Sequence, residues 1–309
     1  MSSDHGSALT RAIQTDLQMI QTSIAGLDLN TTTVMNTTSS IKSDTTALRD
    51  DTTVRHKHEL TKWICPANYH VQHQDFIDRH QTGTGQWFLQ DTKFQEWNRS
   101  KDATLFCPGI PGAGKTIMAA LVIDHLLRTQ HVADEPVTFI YCNYKRQSEQ
   151  SVKHMLSSIL RQIIDIQPRV PELVQDFYTS HTTKRTTPLP DEIEQVLEAA
   201  SKGLQRLTII VDALDECETR ARQVFLSAVE TLRRQCEVRL LATSRPLPTV
   251  QSHSAFLGKP TLEVKAPDED LEKYIRSRAS ELHSRVMSKP DLLEELVTST
   301  VRATGGMYI

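Results

Sequence analysis

The sequence predicts an α/β fold, with a central parallel sheet covered by helices on both faces, a helical N-terminal leader and a small C-terminal helical appendage. Three observations carry the prediction. From Ala103 onward, short apolar runs alternate with helix-length amphipathic runs, the pattern of βαβ units whose strands are buried on both faces. One apolar run, "ATLFC", breaks into a loop dense in Gly and Pro, "PGIPGAGKT", from which a helical run departs. Another, "LTIIV", ends in a cluster of carboxylates, "DALDE".

The elements follow in order. Residues 1–55 are rich in Thr, Ser and Asp and contain no aromatic residue. They carry a seven-residue period: Ile13, Ile20, Leu27, Val34, Ile41 and Leu48, with a companion seam Leu17, Ile24, Thr31, Thr38, Thr45 and Thr52. A heptad predicts an amphipathic helix that pairs with something. Gly26 and "NTTTVMNTTSS" oppose helix by propensity. Residues 56–102 hold all three tryptophans, Trp63, Trp87 and Trp97. Within them "HELTKWICPANY" predicts a short helix stopped at Pro66, and "GTGQWFLQDTKFQEWNRS" a Gly turn becoming helix. The tryptophans read as packing rather than as a cover for a ligand.

The core spans residues 103–266. "ATLFC" and "VTFIYCNY" read as strands, each followed by a helix, "TIMAALVIDHLLRT" and "SVKHMLSSILRQIID". Prolines and polar residues crowd 168–190, which reads as a connection. "DEIEQVLEAASKG" is helical, "LTIIVDALDE" a buried strand, "RARQVFLSAVETLRRQ" helical and "VRLLATSRP" a further strand, with "TLEVK" expected as the fifth. Residues 267–309 are helical in pattern and form the appendage, which reads as incomplete.

Composition narrows the classes. An apolar fraction of 38% over 309 residues fills a real core. A formal net charge of −3 gives bulk nucleic-acid binding no electrostatic support, so no nucleic acid is expected. No apolar run approaches membrane-span length, and "MSSDHGSALTR" lacks the basic start and apolar stretch of a signal peptide. The five cysteines, 65, 107, 142, 217 and 236, are scattered, with no C-x-x-C. That argues for reduced thiols in the cytosol rather than a disulfide framework or a zinc site.

The chemistry lies at the strand ends. Gly109, Ile110, Pro111, Gly112, Ala113, Gly114, Lys115 and Thr116 fit G-x-x-x-x-G-K-[ST] at every position, after a strand and opening a helix. The glycines let backbone N–H groups wrap an anion at a helix N-terminus. Lys115 is placed to pair with β- and γ-phosphates and the Thr116 hydroxyl to bind Mg²⁺. Asp212 ends an apolar strand and would hold the same Mg²⁺. Asp215 or Glu216 would be the general base or water-orienting group. Their competing reading is an acidic turn capping the next helix. Arg245, at the end of "VRLLATSR", would sense the γ-phosphate if its strand lies beside the loop strand. The other reading is a surface arginine in a turn before Pro246. These parts belong to a P-loop NTPase with a three-layer fold.

In this order, "GIPGAGKT", "IIVDALDEC" and "LLATSRP" resemble the NACHT class of STAND P-loop NTPases, and the fungal branch described as nephrocystin-3-like N-terminal domains in particular. "GTGQWFL…FQEW" is similar to the segment before the loop in that branch, and "VRATGGMYI" to the helix end before its next module. The resemblance covers roughly residues 60–309. It implies a cytoplasmic signalling switch of the NOD-like receptor kind. Such proteins hold ADP, exchange it for ATP on a trigger, hydrolyse slowly and oligomerise through the NTPase domain, in fungi in non-self recognition and cell death. It maps Gly109–Thr116 onto the Walker A loop, Asp212–Glu216 onto Walker B and Arg245 onto the sensor.

The chain stops where such proteins continue into a winged helix and repeats, so a fragment, a truncated gene model or a small partner protein is expected. Partners would be nucleotide and either a second copy or another protein, met through the NTPase domain and the N-terminal heptads. The other readings are a nucleotide-binding interaction module that does not hydrolyse, and a metabolic P-loop kinase, which lacks an Arg-rich lid here. A GTPase would need an N-K-x-D after a later strand, and none is present.

Overall fold

The computed structural model describes residues 3–129, 135–145, 150–279 and 290–307. The chain divides into two units, Met1–His58 and Glu59–Ile309.

The first unit is one helical stretch. Helix α1 runs from Ser3 to Ile64, through Gly26 and the Thr-rich run that oppose helix locally. Its described seam residues are exposed: Leu17 53%, Ile20 56%, Val34 65% and Ile41 60%. The hydroxyls of Thr22 and Thr38 donate to the carbonyls of Gln18 and Val34, each at 2.8 Å. This turns a polar group back onto the helix that bears it. The short helix expected at "HELTKW" is the end of α1, which stops just before Pro66, where the pre-proline residue disfavours helix.

In the second unit, α2 (Tyr69–Asp78), α3 (Gln86–Gln90) and α4 (Thr92–Arg99) precede the sheet. Asn68 and Asp91 side chains cap α2 and α4. The sheet comprises β1 (Thr104–Pro108), β2 (Val137–Tyr141), β3 (Arg206–Asp212) and β4 (Glu237–Ser244). The order is β1-β4-β3-β2 and every pairing is parallel. The strands are buried almost throughout, as continuous apolar runs require when helices cover both faces.

Between the strands lie α5 (Lys115–Thr129), α6 (Val152–Ile166), α7 (Glu172–Lys184), α8 (Pro190–Ser201) and α9 (Thr219–Leu232). Right-handed crossovers send α5 to one face and the helices of the returning connections to the other. The packing agrees: α5 meets α2, while α6 meets α8 and α9.

Two expectations need correction. Residues 168–190 are not a plain connection, because they contain α7. Val174 is fully buried, and the rings of Phe177 and Tyr178 stand edge-on to Trp63 at 5.8 and 5.1 Å. The 174/177/178 spacing is a helical face that the flanking prolines obscured. The fifth strand, "TLEVK", is an extended segment short of a full strand. Phe106 N–H donates to Pro260 O, and Leu262 and Val264 N–H donate to Phe106 O and Pro108 O, but one parallel bridge, Phe106 to Thr261, is the extent of pairing.

The tryptophans pack. Trp97 is buried, and its Nε1 donates to Leu240 O at 3.1 Å. Its ring lies 5.5 Å beneath the guanidinium of Arg239. Arg239 is wholly buried, donates to Thr208 Oγ1, Asn98 O and Asn98 Oδ1, and so ties α4 to the sheet. Burial pushes its pKa down to about 10. The short α10 (Pro248–Gln251) follows β4. The appendage consists of α11 (Asp268–Ala279) and α12 (Pro290–Thr304), joined by a two-pronged Arg276–Glu294 pair at 2.8 Å. Among the described residues no helix is long and apolar enough to cross a membrane.

Candidate functional site

The loop between β1 and α5 is shaped by its glycines. Gly112 and Gly114 have φ of 77° and 84°, a region open to Gly and strained for side-chain-bearing residues. At Gly109 a Cβ would sit 2.6 Å from Val264 O, so the extended segment beside β1 leaves the loop no room for a side chain there. The loop delivers Lys115 and Thr116 as the first residues of α5. The Lys115 ammonium donates to Gly109 O at 2.8 Å and Ile110 O at 2.9 Å. Burial lowers its pKa, and Asp215 and Asp212 pull it back up.

The carboxylates come from the C-terminal end of β3. Asp212 is 2% exposed. Thr116 Oγ1 donates to its Oδ2 at 2.8 Å and Thr243 Oγ1 to its Oδ1 at 2.6 Å. Thr243 Oγ1 also accepts from Ala213 N–H at 2.9 Å. Burial raises the Asp212 pKa, and the two threonine hydroxyls oppose the rise. Ala213 then takes a left-handed φ of 53°, a conformation strained for alanine. It turns the chain into a 3₁₀ turn, Leu214–Glu216, which brings Asp215 and Glu216 alongside the loop.

Both oxygens of Asp215 are engaged by Arg245: Oδ1 accepts from its backbone N–H at 2.9 Å and Oδ2 meets its Nε at 3.2 Å. Glu216 Oε2 accepts from Tyr144 N–H at 3.0 Å. Strand β4 does lie beside β1, with Ser244 opposite Pro108, which is the condition Arg245 needed.

Pro111, Gly112, Gly114, Lys115, Thr116, Asp215, Glu216 and Arg245 therefore line one cleft of about 350 Å³. Asp212 reaches it through Thr116. Gly109 and Ile110 contribute the carbonyls that hold Lys115, and Ala113 is buried, 2% exposed.

A second, apolar cavity of about 230 Å³ shares Gly114 and Ile117 with this cleft. Its other walls include Met118, Leu121, Thr84 and His80, with Tyr274 and Arg278 from α11. Asp270 Oδ2 accepts from Gly85 N–H at 2.7 Å and Lys273 Nζ donates to Gly83 O, so the appendage is fastened to the turn before α3. Sequence reasoning missed Tyr274 and Arg278, and no local signal marks them. A larger cavity, about 440 Å³, lies between α2 and the end of β2 and has no residue of the β1–α5 loop in its lining. Its size says nothing about the chemistry, which is concentrated in the smaller cleft.

A family model described as "Nephrocystin 3, N-terminal" matches residues 83–245, from the turn before α3 to Arg245. The vegetative incompatibility protein HET-E-1 of Podospora anserina is 25% identical over 171 residues. The match covers 53% of this chain and only 12% of that relative. Among solved structures, the Aeropyrum pernix ORC1 protein, in complex with DNA, is 19% identical with a TM-score of 0.43, over 65% of this chain and 50% of that one. AMPPCP-bound DnaA from Aquifex aeolicus is 15% identical with a TM-score of 0.38, over 72% and 62%. The DNA and the AMPPCP belong to those proteins.

Proposed function

This chain belongs to the nephrocystin 3, N-terminal family, and from that premise we propose that it is an ATP-binding signalling switch that exchanges ADP for ATP and hydrolyses slowly with Mg²⁺. The observation that carries the reading is the Thr116–Asp212–Thr243 hydrogen-bond chain beneath a glycine-shaped loop, with Lys115, Glu216 and Arg245 on the walls of the same cleft.

Each part has a task. The loop N–H groups and the α5 N-terminus receive the phosphate chain. Lys115 exchanges its two carbonyl partners for phosphate oxygens. The apolar cavity bounded by Met118, Leu121 and Tyr274 takes the base, with Arg278 at its wall. The donor set fits Mg²⁺: a buried carboxylate and a hydroxyl are hard oxygen donors. Among the described residues no group of three or more His, Cys, Asp or Glu would hold a metal by itself, so phosphate and water complete the shell. Bound there, Mg²⁺ supplies neutralisation of phosphate charge. Asp215 is committed to Arg245 and acts as its anchor. Glu216, on the cleft wall with Oε2 accepting from Tyr144 N–H, orients the attacking water, and Arg245 registers the γ-phosphate by trading against Asp215. A sensor held by an ion pair is consistent with slow turnover.

The likeness to a vegetative incompatibility protein supports a place in fungal non-self recognition or cell-death signalling. Oligomerisation through the NTPase unit and the exposed α1 seam completes the reading.

The test is nucleotide binding by the purified chain in Mg²⁺. A charge-assisted contact to phosphate is worth about 1.5–3 kcal/mol, so Lys115→Ala should weaken ATP binding by about 10- to 100-fold, with the circular dichroism unchanged. Undiminished affinity would remove the phosphate assignment. Co-purified ADP, with slow turnover that rises with protein concentration, is the expected signature of a switch. Fast turnover at low concentration would mean a free-standing enzyme instead.

A further inference from the structure

The five scattered cysteines predicted unconnected thiols, but the fold brings two of them together. Cys142 follows the end of β2 and Cys217 follows the 3₁₀ turn after β3. Their Sγ atoms lie 3.7 Å apart, and the residues are 6% and 3% exposed. Cys217 Sγ also donates to the Met155 sulfur at 3.5 Å. The remaining thiols lack this arrangement. Cys65 faces His154 Nε2 at 3.8 Å, Cys107 is wholly buried in β1, and Cys236 meets no second sulfur among the described residues.

We propose that Cys142 and Cys217 form a redox site that closes to a disulfide on reaction with hydrogen peroxide or a similarly small hydroperoxide. The Cys217 thiolate attacks one peroxide oxygen; the O–O bond breaks and hydroxide leaves, taking a proton to become water. Cys217 is then a sulfenic acid. The Cys142 sulfur attacks the Cys217 sulfur, the S–O bond breaks and the S–S bond forms. The departing hydroxide takes the Cys142 proton as a second water. Two thiols lose two electrons in all, and the peroxide is reduced to two waters.

The roles follow from the surroundings. The hydrogen bond from Cys142 lowers the Cys217 pKa, with Arg222 assisting, against burial. The thiolate is the attacking species, so Cys217 reacts first and Cys142 resolves. Burial pushes Cys236 up to about 11 and also raises Cys65 and Cys107. Access sets the oxidant class. At 3% and 6% exposure the two sulfurs admit a water-sized peroxide, where a bulky disulfide would not fit.

The bond would join two segments that already hold each other where β2 and β3 end, beside the cleft wall formed by Asp215 and Glu216. Cys142 N–H donates to Asp212 O at 3.0 Å, and Tyr144 N–H to Glu216 Oε2 at 3.0 Å. Any effect on turnover rests on the function proposed above; the disulfide itself does not.

The test uses the full chain, reduced, freed of reductant and treated with hydrogen peroxide. It is then unfolded, alkylated with iodoacetamide and weighed. Alkylatable thiols should fall from five to three, the alkylated chain should be lighter than its fully reduced and alkylated counterpart by two carbamidomethyl groups, and proteolysis should release a peptide pair joined through Cys142 and Cys217. Dithiothreitol should restore all five. Cys142→Ala should instead leave Cys217 as a sulfenic acid that dimedone traps. Lys115→Ala should close the same disulfide, which separates this site from the nucleotide reading. Alkylation of both Cys142 and Cys217 at doses that oxidise Cys236, or sulfinic acids with no cross-linked pair, would overturn the proposal.

Discussion

Asp212→Asn offers a prediction with two opposite signs. Asp212 is 2% exposed and accepts two threonine hydroxyls, at 2.8 and 2.6 Å. Hydrogen bonds to a charged acceptor are worth about 1.5–3 kcal/mol against about 0.5–1.5 for neutral ones, so neutralising the carboxylate loses about 2 kcal/mol over the two. Burying an ionised carboxylate costs several kcal/mol, and burial is the largest influence on Asp212. Desolvation therefore wins, and Asn at 212 should stabilise the protein, without metal or nucleotide, by about 1–3 kcal/mol. That corresponds to about 2–4 °C per kcal/mol in a domain of this size.

The same change should abolish the Mg²⁺-dependent part of ATP binding. Wild type gains about 2.7 kcal/mol from ligand at a hundred times Kd, and the variant should gain much less. The pH dependence has a definite sign. A carboxyl whose pKa is raised by folding binds more protons folded than unfolded, so its contribution to stability is lost as pH rises through the folded value. The gap between variant and wild type should be full at neutral pH and narrow on acidification toward the usual 3.8. Thermal melts with and without Mg²⁺-ATP, from neutral to acid pH, measure all three. A variant destabilised at neutral pH without ligand would mean that the hydroxyl network outweighs desolvation. Retained Mg²⁺ dependence would remove Asp212 from the metal side of the site.

The other predictions concern the walls of the cleft. Glu216→Gln should lower turnover by about 10²-fold or more while leaving ATP affinity near wild type. Asp215→Asn, which weakens the Arg245 anchor, should change affinity more than turnover; the reverse pattern in single-turnover assays would exchange the two roles. Tyr274→Ala should weaken ATP by about ten-fold, since stacking on a base is worth about 1–3 kcal/mol, and leave inorganic triphosphate unchanged. Equal losses for both ligands would make Tyr274 structural.

Local chemistry made part of the site legible. Gly112 and Gly114 need positive φ where they stand, so their spacing before Lys115 and Thr116 describes the loop by itself. Asp212 could be placed because the largely apolar run Leu207–Val211 before it reads as a buried strand. Helix α7 was legible only in hindsight: Val174, Phe177 and Tyr178 keep a helical period, but flanking prolines masked it and Trp63, far away in sequence, is what buries the face. Asp215 and Glu216 looked interchangeable in sequence. Arg245, brought in by the next strand, engages one of them.

The sequence by itself determined the P-loop, its carboxylate strand and the α/β class, because each depends on backbone freedom or hydrophobic period within a dozen residues. Only the tertiary structure decided the rest. Beside the apolar cavity Gly85 N–H donates to Asp270, 185 residues away. The thiol pair spans 75 residues, and Thr116 meets Asp212 across 96. The last two contacts exist because a parallel sheet ordered β1-β4-β3-β2 collects at one end the C-termini of strands that the chain visits far apart, and sequence distance carries no record of that order.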